Sequence, residues 1–307
     1  MPSFFPESHA SAGDESKQVA ANRGIRLIES PRTELPALLD LRDPPKSLWA
    51  RGTLAIADAP AVAIVGTRNA TPYGLRITRG LAAACARAGV CVVSGLARGI
   101  DGAAHAAALA AGGRTVAVLG TGVDRAFPTR HRDLQERVAE EGLLLSEYPP
   151  GSTGHRGAFP MRNRIIAALA SIVIVVEAGV GSGALITVNR ARELGRRIGI
   201  VPGPVDSPAS AGSNAILGDY DALLSADMLL QWLAIDPSPP LAPALDADAA
   251  QCWDAIARGA TSVQDIATLS GLSPRTCVVA ISALELDGLV VLDIAGRVHP
   301  AVAVNCL

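Results

Sequence analysis

Lysine is almost missing from this chain of 307 residues: Lys17 and Lys46 are the only two, and every other cationic side chain of the Lys/Arg type is arginine. Aromatics make up only 3% of the sequence, so a ring beside a motif carries weight. The five cysteines (Cys85, Cys91, Cys252, Cys277, Cys306) are scattered, odd in number and without a CxxC pair. That excludes a disulfide framework and a zinc site and predicts reduced thiols in a cytosolic protein. No metal and no cofactor are expected. The longest dense apolar run, 165–176, contains Ser171 and falls short of the roughly 20 residues that span a bilayer. The N-terminal MPSFFPESHASAGDESKQ has no apolar core of the secretory kind. No GxxxxGK[ST] occurs, and the turn Val65-Gly66-Thr67-Arg68-Asn69 is not GxGxxG, since the next glycine is Gly74. A standard nucleotide loop is thereby excluded. Net charge is −2, so any site for a polyanion must be a local patch.

What the chain does have is rhythm. Short runs rich in Val and Ile recur at 61–65, 90–93, 115–119, 143–145, 172–176 and 198–201. Near-continuous apolarity predicts strands buried on both faces, as in a parallel sheet. Helical patterns separate them at 73–88, 102–111, 129–141 and 184–195, with a short one at 165–170. The alternation predicts an α/β, extended Rossmann-like, doubly wound and mostly parallel sheet. Five of the runs end in glycine-bearing turns: GTR, SGLARGID, GTGVD, EAGVGSG and PGPVD. In such a fold these turns share one edge, where ligands bind at the switch point of strand order.

The flanks are organised differently. Residues 1–24 are polar and predicted to be disordered, and 25–58 form a proline-broken lead-in. The Rossmann-like domain is expected over 59–232 and a Pro-rich linker over 233–246. Residues 247–307 predict three helices and a hairpin, a small C-terminal winged-helix domain; Ser273-Pro274 supplies an N-cap and an N1 proline for its third helix.

Candidate ligand-holding residues cluster at the glycine turns. Arg162, Asn163 and Arg164 supply forked donors ahead of an apolar run. Ser182 and Gly183 open a helix whose free N–H groups suit an anion. Arg68 follows Gly66 directly, and Ser94-Gly95-Leu96-Ala97-Arg98 pairs small residues with one arginine. Phe159 precedes the arginine cluster and suits either base stacking or a core plug. Thr187 suits packing as well as binding. Asp101 is expected to cap the next helix, and His105 to be a helix-face histidine. Seven arginines over 151–200 stand against Glu177 and Glu193, a local charge of +5, although Arg192, Arg196 and Arg197 are expected on a solvated helix face. Glu177 could be a base, but no partnered nucleophile is evident, so no enzyme is predicted. Residues 245–307 carry three arginines against seven acids, and a DNA-reading helix should be cationic. That module is therefore expected to bind protein or to dock on its own Rossmann-like domain.

The segments AIVGTRNATPYG, VVSGLARGIDGAAHAAAL, TVAVLGTGVDRAFP, LLLSEYPPG, FPMRNRIIAALA, VVEAGVGSGALIT and VPGPVDSPASAGSNAIL together resemble the DNA-processing protein A (DprA/Smf) family. They cover roughly 60–225 in order, and LPALLDLRDPPKSLWARG resembles the family's lead-in. The resemblance implies a cytoplasmic bacterial protein that binds single-stranded DNA, protects incoming strands in natural transformation, loads the RecA recombinase past single-strand-binding protein, and forms a homodimer. Carried onto this chain, the implied DNA pocket takes in Gly66, Arg68, Ser94, Gly95, Arg98, Phe159, Arg162, Asn163, Arg164, Ser182, Gly183 and Thr187. The sequence departs from the family in having only about 25 residues where many members carry a helical N-terminal domain. It departs again at Gly218-Asp219-Tyr220-Asp221-Ala222. The competing reading is a nucleotide or nucleoside-phosphate hydrolase. The phosphoribohydrolases that release cytokinin bases have a similar edge, but their PGGxGTxxE turn is here EAGVGSGALIT, without the following acid.

Overall fold

A computed structural model describes residues 24–55, 60–155, 157–235, 246–286, 289–293 and 296–300. Residues 1–23 and most of the Pro-rich linker, 236–245, lie outside the described residues. The chain divides into two compact units at Leu223/Leu224.

The first unit is built on a nine-stranded sheet. Its strands are β1 (Ile25–Ile28), β2 (Leu48–Gly52), β3 (Ala61–Val65), β4 (Cys91–Ser94), β5 (Thr115–Leu119), β6 (Leu143–Ser146), β7 (Ile172–Val175), β8 (Arg197–Ile200) and β9 (Asp221–Ala222). They lie in the order β1-β2-β6-β5-β4-β3-β7-β8-β9. β3 to β8 are parallel, and β9 extends β8 in parallel. β1 and β2 add to β6 antiparallel, so the proline-broken lead-in is not a separate piece but the edge of the sheet. The family departure at 218–222 likewise has a place: Asp221–Ala222 is β9, clamped by Arg197 to Asp221 at 2.9 Å.

Five helices cover the two faces: α1 (Pro72–Arg87), α2 (Ile100–Ala110), α3 (Arg132–Glu141), α4 (Ala158–Leu169) and α5 (Ala184–Glu193). The strand pattern explains the layering. On β5, Val116 and Val118 join the apolar cluster with α4 and α5, while Ala117 and Leu119 join the one with α2 and α3. Both faces are dry, as the run of apolar residues requires. The chain winds from β3 outward through β4 to β6, then returns to place β7 on the other side of β3. β3 and β7 therefore flank the topological switch point.

One expected helix is longer than its apolar pattern. The short helix expected at 165–170 is α4, which begins at Ala158, so Arg162, Asn163 and Arg164 lie inside it rather than ahead of it. Intervening polar residues masked the period because they too are buried.

In the second unit α6 (Ala226–Trp232) is followed by α7 (Ala247–Ala257), α8 (Val263–Ser270), α9 (Pro274–Leu286) and the antiparallel hairpin β10 (Val290–Leu292) and β11 (Val298–Pro300). Asp246 caps α7 and Ser262 caps α8, which ends at Gly271 with φ 75°. Cys252, Ile256, Ile266, Cys277, Ile281 and Leu284 form the core of this winged helix.

Candidate nucleic-acid interface

The turns after β3 and β7 open a cleft of about 490 Å³ at the switch point. Its lining takes Gly66 and Arg68 from the first turn, Asp101 from α2, Phe159, Arg162 and Asn163 from α4, and Ser182, Gly183 and Thr187 from the start of α5. Eight of the twelve expected site residues are thus brought together by three separate segments. Gly179, Val180 and Gly181 complete one wall.

Close backbone approach is what makes the cleft possible. A Cβ on Gly66 would stand 2.5 Å from Ile100 and 2.8 Å from the Glu177 carbonyl. That carbonyl accepts the Thr67 N–H at 2.7 Å and ties the two turns together. α5 starts at N-cap Gly183, which has no side chain to cap it; the Ala184 N–H donates to the Ser182 hydroxyl at 3.4 Å and the Leu185 N–H to the Ser182 carbonyl at 3.0 Å, so the turn is closed by Ser182. Asn163 Nδ2 donates to the Gly183 carbonyl at 3.2 Å and fixes the turn.

Arg162 is buried, 5% exposed. Its guanidinium donates to the Val118 carbonyl and stands 3.7 Å from the Asp101 carboxylate, while its Nε has no partner. Burial lowers its pKa to about 10, against the pull of Asp101 and with the help of Arg68; it is still charged at neutral pH. Burial pushes the Asp101 carboxyl above the usual range, opposed by Arg162 and by hydrogen bonds from the Ala97 and Gly66 amides. Asp101 thus does not cap its own helix, as sequence reasoning expected. It braces two turns and one arginine.

The other expected residues have different work. Gly95 does not line the cleft but makes room for Arg162: a Cβ there would fall 1.9 Å from Nη2. Ser94 is fully buried and donates to the Ile64 carbonyl at 2.6 Å, a bond between neighbouring strands. Arg98 is at the surface, held by Asn69 at 3.1 Å. Arg164, expected to be among the leading phosphate contacts, instead forks onto Glu147 at 2.6 and 2.7 Å and donates to the Asp43 carbonyl. The Glu147 carboxylate, bonded to both Nη atoms, holds the Arg164 pKa above its ordinary value. It borders a separate recess with Asp43, Lys46 and Ser47. Arg164's acidic partners, Glu147 and Asp43, lie 17 and 121 residues away, beyond the reach of any local pattern. The +5 segment is neutralised in the same way elsewhere. Arg196 and Arg197, expected on a solvated helix face, reach Asp40 at 2.6 Å and Asp221 at 2.9 Å.

Phe159 is half-buried. Arg68 lies 5.5 Å over its ring and Phe127 packs 5.0 Å away at 34°. Sequence reasoning missed Phe127, although only four phenylalanines occur in the chain. It also missed what Glu177 does. The Glu177 side chain is fully buried and accepts from the Thr71 N–H at 2.9 Å and the Thr71 hydroxyl at 2.5 Å, anchoring the N-terminus of α1. Gly74 leaves it room, since a Cβ there would meet Oε2 at 2.2 Å.

Among the described residues no group of three or more His, Cys, Asp or Glu side chains could hold a metal, and no single helix is long and apolar enough to cross a membrane. Residues 27–232 match the family model described as DNA recombination-mediator protein A, and 236–299 match the DprA winged helix domain. A Mycobacterium tuberculosis protein named as a putative DNA processing protein DprA is 44% identical over 257 residues, which is 80% of this chain and 66% of the relative. The Bacillus subtilis DNA processing protein DprA is 40% identical over 192 residues, 62% of this chain and 65% of its own length. The chain therefore spans from about half to 70% of the length of the curated relatives it matches. The crystal structure of Streptococcus pneumoniae DprA superposes with a TM-score of 0.65 at 35% identity, covering 70% of this chain and 77% of that one. The Helicobacter pylori protein, whose structure is described for its single-stranded DNA binding mode, gives 0.63 at 32% identity, covering 68% and 95%. With the fold, the switch-point turns and both family models in agreement, this chain belongs to the DNA-processing protein A family.

Proposed function

We propose that this chain is a non-catalytic binding protein for single-stranded DNA, with the strand's phosphates seated in the cleft between the β3 and β7 turns. The observation that carries the reading is one cleft lined by Arg68, Arg162 and the Ser182–Gly183 turn at the positive end of the α5 dipole. Amide dipoles and a fork of guanidinium N–H groups stabilise a phosphodiester without reading sequence. The single-stranded binding described for the H. pylori relative supports the same choice of ligand. Glu177 weighs against the hydrolase reading, because its carboxylate is committed to Thr71.

As the family resemblance implies, the bound strand is handed to the RecA recombinase in the cytoplasm during natural transformation, displacing single-strand-binding protein, and the chain works as a homodimer. Filament nucleation on strands coated with single-strand-binding protein tests the hand-over.

Titration of fluorescent single- and double-stranded oligonucleotides at several salt concentrations tests the binding itself. If Arg68 and Arg162 each neutralise one phosphate, log K falls against log salt with a slope of about −1.4. A flat salt response, or equal affinity for duplex, sinks the reading. Release of free base from nucleoside monophosphates would favour the hydrolase instead.

A further inference from the structure

Phe127 and Phe159 are the only phenylalanines among the described residues, and they touch. Their surroundings differ. Phe159 is packed at its edges: a Cβ on Gly120 would stand 2.9 Å from its Cδ1, and one on Gly154 2.8 Å from its Cζ. Arg68 lies over its ring. Phe159 is therefore a support with little ring left to offer. Phe127 is 48% exposed and borders the cleft through Phe159.

The loop that presents Phe127 is tied on both sides. The Thr121 hydroxyl donates to the Arg125 carbonyl at 3.0 Å, and the buried Gln135 amide donates to the Val123 carbonyl at 2.9 Å. Beyond it the Pro128 carbonyl accepts the His131 N–H at 2.9 Å. An exposed ring on a braced loop loses little conformational entropy when a flat partner covers it.

Resting on the cleft reading above, we propose that Phe127 is the platform on which an unpaired base stacks when the neighbouring phosphates occupy the cleft. The occupant is a base of the same strand. Every base has a π-face, so the contact is tolerant of sequence, and a duplex, whose bases are already stacked, cannot offer one.

The test compares the full chain with Phe127→Ala and Phe127→Trp, each titrated with a fluorescent single strand and with a strand of equal length carrying abasic sites throughout. Phe127→Ala should weaken the base-bearing strand about 5- to 150-fold and leave the abasic strand unchanged. In Phe127→Trp the added indole emission should be quenched by the base-bearing strand alone. Unchanged affinity of Phe127→Ala for the base-bearing strand overturns the proposal. So does an equal loss on both strands, which would make Phe127 a support for the loop. Failure of the wild-type chain to bind either strand would instead remove the cleft reading.

Discussion

Replacing Gly95 by alanine should disable the cleft although Gly95 itself does not line it. Gly95 is not among the residues of positive φ, so alanine meets no backbone strain there. The new Cβ would lie 1.9, 2.0 and 2.1 Å from Nη2, Nη1 and Cζ of Arg162. Ordinary contact begins near 3.4 Å, so the guanidinium must retreat by about 1.5 Å. It then loses the Val118 carbonyl and draws away from Asp101, leaving a buried carboxylate short of its counter-charge. Breaking a buried pair from one side costs about 3–5 kcal/mol when nothing relaxes. The open cleft lets the side chain swing aside, so the lower end is expected. Urea unfolding of the wild type, Gly95→Ala, Arg162→Ala and the double variant measures this as a cycle. Most of the Gly95→Ala cost should vanish in the Arg162→Ala background. Single-strand affinity should fall about tenfold or more, as expected when a charge-assisted hydrogen bond is lost. If Gly95→Ala costs the same in both backgrounds, or binds single strands like the wild type, the proposed coupling between Gly95 and Arg162 is wrong.

Arg164→Ala should destabilise the first unit by about 2–3 kcal/mol, because Glu147 keeps some solvent contact, and should leave the salt slope of strand binding unchanged; chemical denaturation and titration separate the two. Arg68→Ala should make that slope shallower by about 0.7 while leaving thermal stability within about 0.5 kcal/mol. His105 is buried with a pKa lowered to about 3, first by burial and then by Arg162 and His131. The Thr115 hydroxyl donates to the Val92 carbonyl and so accepts from His105 Nδ1, leaving Nε2 bare of a proton and of a partner. The unfolded chain binds this proton below about pH 6.5 and the folded chain does not, so stability is full above that pH and falls as pH drops toward 3, by at most about 5 kcal/mol. His105→Leu should flatten that part of a stability–pH curve. Finally, ending the chain at Ile235 should leave binding to single strands intact and remove no measurable duplex affinity, read by electrophoretic shift; a loss of duplex binding would show that the acidic winged helix does read DNA.

Much of the fold was written in local pattern. Apolar runs such as Ala61–Val65 and Thr115–Leu119 name their own strands, and two-sided burial leaves a parallel sheet as their simplest home. The caps at Ser262 and Ser273 and the stop at Gly271 were equally local. The antiparallel edge was not, because β2 is a half-exposed strand whose partner β6 lies some ninety residues on, and β1 joins the sheet only through β2.

By itself the sequence determined which residue types meet at the rim: glycines that admit close backbone, arginines that fork, and a ring beside them. Only the tertiary structure decided which arginine borders the cleft and which is clamped away from it by carboxylates. Arg162 and Arg164 stand two residues apart on one helix, about 200° around its axis, so they point into different surroundings. One meets a cleft and Asp101, the other Glu147 and Asp43. No spacing rule carries that difference, because a charge is neutralised by whatever the fold brings within a few ångströms, however far away it lies along the chain.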